Sequence, residues 1–333
     1  MKVARPTVRV VALILALLAV PLAAHAQQPG KTYRIGWLGL ASPGPEVLRI
    51  VDAFRQGLRE LGYVEGQNIV LEYRWAHGKA ERLPDLASEL VRLKVDFIIV
   101  AATPAVLAAR QATLTVPIVM AAGVADPVAQ GLAASLARPG GNITGVNLFP
   151  GPEIAGKYLE IFKEAVPRLS RVSVLWNPGN ASHPLLLKEM EAAARVLGIR
   201  LHPTEARTPD DYDSAFSAMT RTGAHGVVIL ADPNAFLHRK RLADLAAKSR
   251  LPSMHSLTEL VEAGGLLAYS ANFPDAARRA ATYVDKIVKG AKPGDLPIEL
   301  STRFDLVINL KTAKALGLTI PPSVLVRANR VIE

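Results

Sequence analysis

The 333-residue chain contains no cysteine. Without thiols it forms no disulfide, so the apolar core alone must hold the protein folded. The same absence leaves no acceptor for a lipoprotein anchor. Aromatic residues are also scarce, at 5% of the chain, and the sequence by itself identifies no pair of rings that would stack on a flat ligand.

Signatures of common enzyme classes are missing as well. The chain has no Gly-x-Ser-x-Gly elbow, no complete phosphate-loop motif and no Gly-x-Gly-x-x-Gly fingerprint. Its histidines show no i, i+4 pairing, which argues against a metal site. His255, Ser256 and Asp232 are the one conceivable hydrolytic set, but adjacent residues of a strand point to opposite faces. We therefore expect no enzyme, no catalytic residue, no metal and no cofactor.

The N-terminus is typical of an export signal. Lys2, Arg5 and Arg9 form a basic segment, Val10–Val20 is almost entirely apolar, and Ala24-His-Ala26 fits a small-x-small cleavage site. This pattern predicts a cleaved signal peptide over residues 1–26 and a location in the periplasm. The alternative, an uncleaved membrane anchor, is disfavoured because the apolar run is shorter than the ~20 residues that span a bilayer.

The net charge of +10 does not indicate a nucleic-acid partner. The basic residues are spread along predicted helix faces, as in Arg239-Lys-Arg241 and Arg278-Arg279, and they form no dense tract. No helix-turn-helix segment precedes the first predicted strand. A solvated basic surface on an exported protein accounts for the charge.

After the predicted signal peptide, apolar strand-like runs alternate with amphipathic helical patterns. The predicted strands are 33–40, 69–73, 97–101, 118–120, 172–176, 199–201 and 227–230. The predicted helices between them are 46–61, 79–93, 105–112, 154–166, 184–197, 209–220 and 234–248, with a short small-residue helix from 127 to 137. Several strands are continuously apolar and β-branched, as expected for strands covered on both faces. Such alternation predicts parallel sheets built from right-handed βαβ units.

Two rounds of this alternation predict an α/β fold with two doubly wound parallel-sheet lobes. The first lobe is predicted to comprise residues 27–147 plus about 273–298, and the second 148–272 plus about 299–333. The last third breaks the rhythm with single strands and helices, including predicted helices 274–289 and 311–316. The chain is therefore expected to pass between the lobes three times, through hinge crossings that permit closure.

One pattern recurs at the ends of predicted strands: a short polar residue followed by proline. It occurs at Ser42-Pro43, Thr103-Pro104, Asp126-Pro127, Asn177-Pro178 and Asp232-Pro233. Capping explains each site taken singly, because these polar residues are good N-caps and proline is tolerated at the first helical position. All five would nevertheless lie at the carboxyl ends of parallel strands, the edge where open α/β sheets bind ligands. We predict that the five loops line one cleft between the lobes.

Such a cleft suits a small polar ligand. Helix N-termini favour a carboxylate, and Asp126 or Asp232 can accept from an ammonium or hydroxyl group. Tyr269 and Ser256 are further candidates, Tyr269 at a predicted crossing and Ser256 after a probable strand. Hinge packing is an equal alternative for Tyr269, whereas Trp37 and Trp176 are predicted to belong to the core.

The chain resembles the ABC transporter substrate-binding family of the tryptophan/tyrosine type, which has the type I periplasmic binding-protein fold. The matching segments are Tyr33-Arg-Ile-Gly36, Phe54-Arg-Gln-Gly-Leu-Arg-Glu-Leu-Gly-Tyr63, Glu65-Gly-Gln-Asn-Ile69, Ala125-Asp-Pro-Val128, Arg138-Pro-Gly-Gly-Asn-Ile-Thr-Gly145, Lys157, Gly264-Gly-Leu266, Lys289-Gly-Ala-Lys-Pro-Gly-Asp-Leu-Pro297 and Phe304-Asp-Leu-Val-Ile-Asn-Leu-Lys-Thr-Ala-Lys-Ala-Leu-Gly-Leu318. They are spread over nearly the whole chain after residue 26.

The resemblance implies a monomeric receptor that binds a small ligand, preferably an amino acid or another small carboxylate. It would deliver the ligand to an ABC permease in the inner membrane, powered by a separate ATPase. The alternative is a ligand-sensing periplasmic receptor for a membrane signalling partner, and nothing in the sequence separates the two. By analogy with the fold, Ser42, Thr103, Asp126, Asn177 and Asp232 would contact the ligand.

Overall fold

The computed structural model describes residues 31–122, 126–149, 151–180 and 182–333. The predicted signal peptide, residues 1–26, lies outside the described residues. All the elements below belong to one unit, residues 33–333. Among the described residues, no helix is both long and apolar enough to cross a membrane.

The first sheet has six strands, all parallel. Its members are β1 Tyr33–Gly39, β2 Ile69–Trp75, β3 Phe97–Val100, β4 Ile118–Met120, β5 Ile143–Asn147 and, from late in the chain, β11 Ile298–Leu300. The strand order is β11-β5-β4-β3-β1-β2. The direction of winding therefore reverses between β1 and β3, which leaves a crevice at the carboxyl ends of these two strands.

The second sheet has seven strands in the order β13-β12-β10-β9-β8-β6-β7. They are β6 Arg171–Trp176, β7 Arg200–Glu205, β8 Gly226–Ile229, β9 Ser253–His255, β10 Leu267–Ala271, β12 Phe304–Asn309 and β13 Arg330–Ile332. Every pair is parallel except β10 with β12. Winding reverses between β6 and β8, so the second sheet also has a crevice at its carboxyl edge. The predicted fold class of two wound α/β lobes is confirmed.

Twelve α-helices are seen in the described residues. They are α1 Pro45–Glu60, α2 Leu83–Arg92, α3 Thr103–Ala112, α4 Ile154–Ala165, α5 His183–Leu197, α6 Tyr212–Arg221, α7 Pro233–Leu237, α8 Arg239–Lys248, α9 Thr258–Glu262, α10 Phe273–Val288, α11 Leu310–Ala315 and α12 Pro322–Leu325. Short 3-10 turns at 80–82, 209–211 and 293–295 complete the set. Prolines stand in the first turn of several helices, where the missing N–H costs nothing.

The chain passes between the two sheets three times. β5 lies in the first sheet and α4 packs in the core of the second lobe. β10 then belongs to the second sheet, while α10 packs against α1 of the first lobe. Finally β11 joins the first sheet and β12 returns to the second. The three connections are close together, so they form a hinge region between the lobes.

Two predicted helices differ from the structure. The small-residue helix at 127–137 is wrong: a helical turn begins with the Gln130 N–H donating to the Asp126 carbonyl, but Gly131 then adopts a left-handed φ of +67°. Residues 132–137 continue as turns and bends. The predicted helix 234–248 is divided at His238 into α7 and α8. Local apolar spacing predicted a helix in both places, but this spacing carries no information about where a backbone turn interrupts the helix.

Each sheet is buried on both faces. Two apolar clusters cover the first sheet, one under α1 and α10 and the other under α2 and α3. Two more cover the second sheet, under α4 and α5 on one face and α6, α8 and α9 on the other. This arrangement explains the continuous apolar strands, because a strand covered twice needs no polar face.

Candidate ligand-binding site

A cavity of about 240 Å³ lies between the lobes, at the carboxyl edges of both sheets. The first lobe contributes the end of β1 and the start of α3, including Leu40 and Thr103. The second lobe contributes the loops after β8 and β9, including Asp232 and Ser256. The cavity therefore lies where both wound sheets place their open edges.

Each of the three connections between the lobes places a phenylalanine on the cavity wall. Phe149 follows β5, Phe273 follows β10, and Phe304 begins β12. Phe304 also stacks on Tyr269, with ring centroids 5.4 Å apart and an interplanar angle of 26°. Because these rings stand on the hinge, the wall they form must respond to any change in the angle between the lobes. The sequence reasoning missed them, although each lies at a crossing that it predicted.

Two tryptophans close the wall on the side of the first sheet. Trp37 lines the cavity from β1 at 2% exposure, and Trp75 lies beside it at the end of β2, with ring centroids 6.5 Å apart. A Cβ on Gly39 would lie 2.3 Å from the Trp75 ring, so only glycine fits there. Trp37 was predicted to be a core residue, and it is one, packed on Phe54 at 5.6 Å. Its other role, as part of the cavity wall, had no signal in the sequence.

The Trp37 indole is an unused hydrogen-bond donor. Its Nε1 is buried and has no partner within the described part of the chain. A buried N–H left without an acceptor costs about 1–3 kcal/mol.

Asp232 is the only charged residue among the described residues that line the cavity. It is the N-cap of α7, with Oδ1 accepting from the Asn234 N–H at 2.9 Å. Its Oδ2 accepts from the side-chain amides of Asn177 at 3.2 Å and Asn180 at 3.4 Å. These three donors hold the carboxylate in one orientation and leave about one lone-pair site, on Oδ1, for a further donor.

Hydroxyl groups lie at other points of the wall. Thr103 is the first residue of α3, whose N-cap is Ala102, so capping does not explain Thr103, which lines the cavity. The Ser256 hydroxyl is 3.4 Å from the Ile229 carbonyl oxygen and also bonds the buried Tyr158 hydroxyl. Burial raises the pKa of Tyr158, so its hydroxyl stays protonated and can donate.

The remaining candidates lie outside the described set of cavity-lining residues. The Asp126 carboxylate accepts from the Val128 N–H at 2.9 Å and the Ala129 N–H at 3.1 Å, within its own loop. Ser42 and Asn177 bond to neighbours, the Ser42 hydroxyl to His77 Nδ1 at 3.1 Å and the Asn177 amide to Asp232. Tyr269 stands behind Phe304. Thus Thr103, Asp232 and Ser256 meet at the cavity, and Asn177 and Tyr269 support residues that do.

Ion pairs join the lobes beside the cavity. On α1 of the first lobe, Arg49 donates to both carboxylate oxygens of Glu262 in α9, at 3.0 and 2.8 Å. Arg330 of the second lobe donates to the same carboxylate at 2.6 Å. Burial by itself would raise the pKa of Glu262, but the hydrogen bonds from both arginines lower it. A second pair, Arg239 with Glu46 at 3.1 Å, connects α8 to α1.

Comparison with known proteins agrees with this architecture. A curated tyrosine-binding protein of Clostridioides difficile (strain R20291) is 25% identical over 275 residues, covering 82% of this chain and 78% of that protein. Two crystal structures each superpose on this chain with a TM-score of 0.82. One is a conserved domain protein from Vibrio cholerae, 29% identical, covering 90% of this chain and 100% of that one. The other is an ABC domain in complex with L-Trp from Streptococcus pneumoniae, 27% identical, covering 91% and 100%.

These likenesses, together with others of lower identity, confirm the predicted type I periplasmic binding-protein fold. The model of the ABC transporter substrate binding protein family matches residues 42–332, which is nearly all of the chain that the structure describes. That match includes the whole second sheet, every strand of the first sheet except β1, and all three connections. The chain belongs to the family of ABC transporter substrate-binding proteins.

Proposed function

We propose that this protein is the periplasmic solute-binding component of an ABC importer. It captures an amino acid in the cavity between the lobes and delivers it to an inner-membrane permease. A small zwitterion, preferably with an aromatic side chain, is the ligand class that the cavity suits best. The observation that carries this proposal is the charge of the wall: a single carboxylate, Asp232, surrounded by neutral donors and rings.

The two ends of an amino acid find different partners in this cavity. Asp232 accepts from the ammonium group, since it is the one formal charge among the described lining residues. No arginine or lysine lines the described wall, so the ligand carboxylate is bound by neutral donors such as the Thr103 hydroxyl. A dicarboxylate would leave one negative charge unpaired beside Asp232, at a cost of several kcal/mol.

The aromatic rings of the wall are proposed to contact the side chain of the ligand. Phe149, Phe273 and Phe304 stand on the connections between the lobes, so a bound apolar group touches the hinge directly. Contact of one ligand with both lobes stabilises the closed form in proportion to the difference in affinity for the two forms. Two relatives, a tyrosine-binding protein and an ABC domain in complex with L-Trp, support an aromatic amino acid as the ligand.

Ser256 is proposed to contact the ligand from the second lobe, and Asn177 to hold Asp232. Ser42 and Asp126 are proposed to form the rim, and Tyr269 to back Phe304. Export through the signal peptide of residues 1–26 would deliver the receptor as a monomer to the periplasm. The lobes are proposed to comprise residues 27–147 with about 273–298, and 148–272 with about 299–333.

A thermal-shift comparison of matched indoles tests the ligand class. We expect L-tryptophan and L-tyrosine to raise the melting temperature, since ligand at 100 times its Kd adds about 2.7 kcal/mol to the free energy of unfolding. Tryptamine lacks the carboxylate and indole-3-propionate lacks the ammonium group. Because Asp232 is the charged partner, tryptamine should retain more of the shift than indole-3-propionate. No shift with any of the common amino acids would refute the proposal.

The ion pair between the lobes gives a second prediction. Glu262→Gln removes the charged acceptor shared by Arg49 and Arg330, and a partly exposed pair contributes about 0.2–1 kcal/mol. We expect L-tryptophan to bind about two- to fivefold more weakly, mainly through faster dissociation, with a smaller dependence on salt. Stopped-flow fluorescence at low and high ionic strength measures the dissociation rate and its dependence on salt.

The matched control is Glu60→Gln, which breaks the pair with Arg278 between α1 and α10 inside the first lobe. That change should leave dissociation and its salt dependence unaltered. Equal effects of the two variants would mean that the pair between Arg49 and Glu262 does not act on lobe closure.

A further inference from the structure

His183 lies between two loops of the binding edge. It is the first residue of α5 and is 1% exposed. Its Nδ1 lies 2.9 Å from the backbone nitrogen of Asn177, in the loop after β6. Its Nε2 lies 2.9 Å from the carbonyl oxygen of Ala231, in the loop after β8. One imidazole ring therefore joins two loops that are distant in sequence, with Asn177 of one and Asp232 of the other 55 positions apart.

The two partners determine where the proton resides. The Asn177 backbone N–H can only donate, so Nδ1 must accept and carries no hydrogen. The Ala231 carbonyl can only accept, so Nε2 must carry the hydrogen. The neutral Nε2–H tautomer satisfies both bonds at once, and no other protonation state does. A doubly protonated ring would bring Nδ1–H against the Asn177 N–H, with a donor facing a donor.

These loops also hold the charged group of the cavity. Ala231 and Asp232 line it, and Asp232 Oδ2 accepts from the Asn177 and Asn180 side chains. Asn180 in turn accepts from the Ser182 hydroxyl at 2.8 Å, directly before His183. The ring therefore anchors the backbones of the two segments that carry Asp232 and its donor Asn177.

We propose that His183 is a positioning residue of the ligand site: in its neutral Nε2–H form it aligns Asp232 with the ligand, and its protonation weakens binding. This inference rests on the proposed function. His183 does not touch the ligand, because two backbone groups occupy its ring nitrogens. It acts by fixing the distance between the loops after β6 and β8.

The direction of the pH dependence follows from the surroundings of the ring. Burial lowers the pKa of His183 below its ordinary value, although the Ala231 carbonyl and the Asp232 carboxylate oppose the shift. Asp232 is the charged group that faces it in the described structure. The folded state thus favours the neutral ring. The contribution to stability is complete above the unfolded pKa of about 6.5 and is lost as the pH falls towards the lower folded value.

Nitrogen NMR of the imidazole tests the tautomer in the wild-type protein. With ¹⁵N-labelled histidine, His183 should show a pyridine-like Nδ1 and a protonated Nε2 at neutral pH, assigned by its absence in His183→Gln. A protonated Nδ1 at neutral pH would overturn the proposal, because that state cannot accept from Asn177. This measurement does not depend on any ligand.

Binding of L-tryptophan then tests the positioning role. In His183→Gln the terminal amide can still donate to the Ala231 carbonyl, but the side chain has no acceptor at the position of Nδ1, beside the Asn177 N–H. His183→Phe has neither the donor nor the acceptor. We expect affinity losses of about 10-fold or more for Gln and larger for Phe, since a buried N–H is left unpaired. The wild-type Kd should also rise more steeply on acidification than that of His183→Gln. Titration calorimetry from neutral to acidic pH, with circular dichroism to confirm folding, provides both values.

The matched control is His225→Gln. His225 lies in the same lobe just before β8, bonded to Ser170 and Arg171, and is not among the cavity-lining residues described. Its replacement should leave the affinity for L-tryptophan within twofold. If wild-type protein binds L-tryptophan but His183→Gln has the same affinity and pH profile, the positioning role is refuted. If the wild type binds no amino acid, the proposed function fails, while the tautomer result still decides the state of the ring.

Discussion

Asp232→Asn is expected to weaken L-tryptophan binding by about 10- to 100-fold. The variant keeps the size and capping ability of residue 232, because asparagine is as good an N-cap as aspartate. It loses the negative charge, the only one among the described residues of the cavity wall, and one of the two oxygens that accept hydrogen bonds. A hydrogen bond to a charged partner contributes about 1.5–3 kcal/mol, which sets the size of the loss.

The same variant should change ligand preference as well as affinity. Tryptamine should lose as much affinity as L-tryptophan, because both rely on the carboxylate for their ammonium group. Indole-3-propionate has no ammonium group and should bind the variant no worse than the wild type. Titration calorimetry of the three compounds against both proteins measures this pattern.

Asp211→Asn is the control for the loss of a capping carboxylate. Asp211 lies in the same lobe and accepts from the Arg207 and Thr208 N–H groups at 2.8 Å, but it is not among the described cavity-lining residues. We expect it to leave all three affinities unchanged. An Asp232→Asn variant that binds L-tryptophan as well as the wild type would remove Asp232 from the site.

Gly57→Ala is expected to destabilise the protein by roughly 2–4 kcal/mol. Gly57 lies in the last turn of α1, where α10 crosses closely. A Cβ there would lie 2.4 Å from the Arg278 carbonyl oxygen and 2.9 Å from the Ala281 Cβ. The carbonyl belongs to the backbone of α10, so the helices must separate to make room. Urea unfolding followed by circular dichroism measures the change in midpoint.

Gly156→Ala in α4 is the matched control. Its Cβ would lie 3.4 Å from the Ala193 Cβ, an ordinary contact. Replacing a helical glycine with alanine then contributes up to about 1 kcal/mol through helix propensity. Both substitutions replace a helical glycine with alanine, but their effects on the free energy of unfolding should have opposite signs. A stabilised Gly57→Ala variant would show that α1 and α10 do not pack as closely as the structure has them.

The short-range spacing of apolar residues was sufficient to predict most of the fold. Continuous apolar strands such as Phe97–Val100 and Val227–Ile229 predicted sheets covered on both faces, and helix-spaced residues between the strands predicted the covering layers. The pattern failed where the backbone, rather than burial, decided the outcome. At Gly131 a left-handed φ ends a turn whose composition favours a helix. At His238 a break divides α7 from α8 without any change in apolar spacing.

The candidate site was predicted less completely. Strand-end position and chemistry together identified Thr103, Asp232 and Ser256, all of which line the cavity. The same criterion also selected Ser42 and Asp126, whose side chains bond within the first lobe. All were known only to follow strands, and a strand end specifies an edge of the sheet but not the direction of the side chain. The aromatic rings of the described wall went unrecognised as lining residues because they are scattered over most of the chain: Trp37, Trp75, Phe149, Tyr158, Phe236, Phe273 and Phe304.

The sequence alone determined the class of protein: alternating apolar periods specify two wound sheets, and the segments shared with a known family extend over both. These signals are local, since each arises from residues a few positions apart. Only the tertiary structure decided which residues meet between the lobes. Phe149 and Phe304 line the same cavity, Arg49 reaches Glu262 and Gly57 reaches Arg278. Contacts over such separations depend on how two sheets, joined three times, are packed, and no short stretch of sequence encodes that packing.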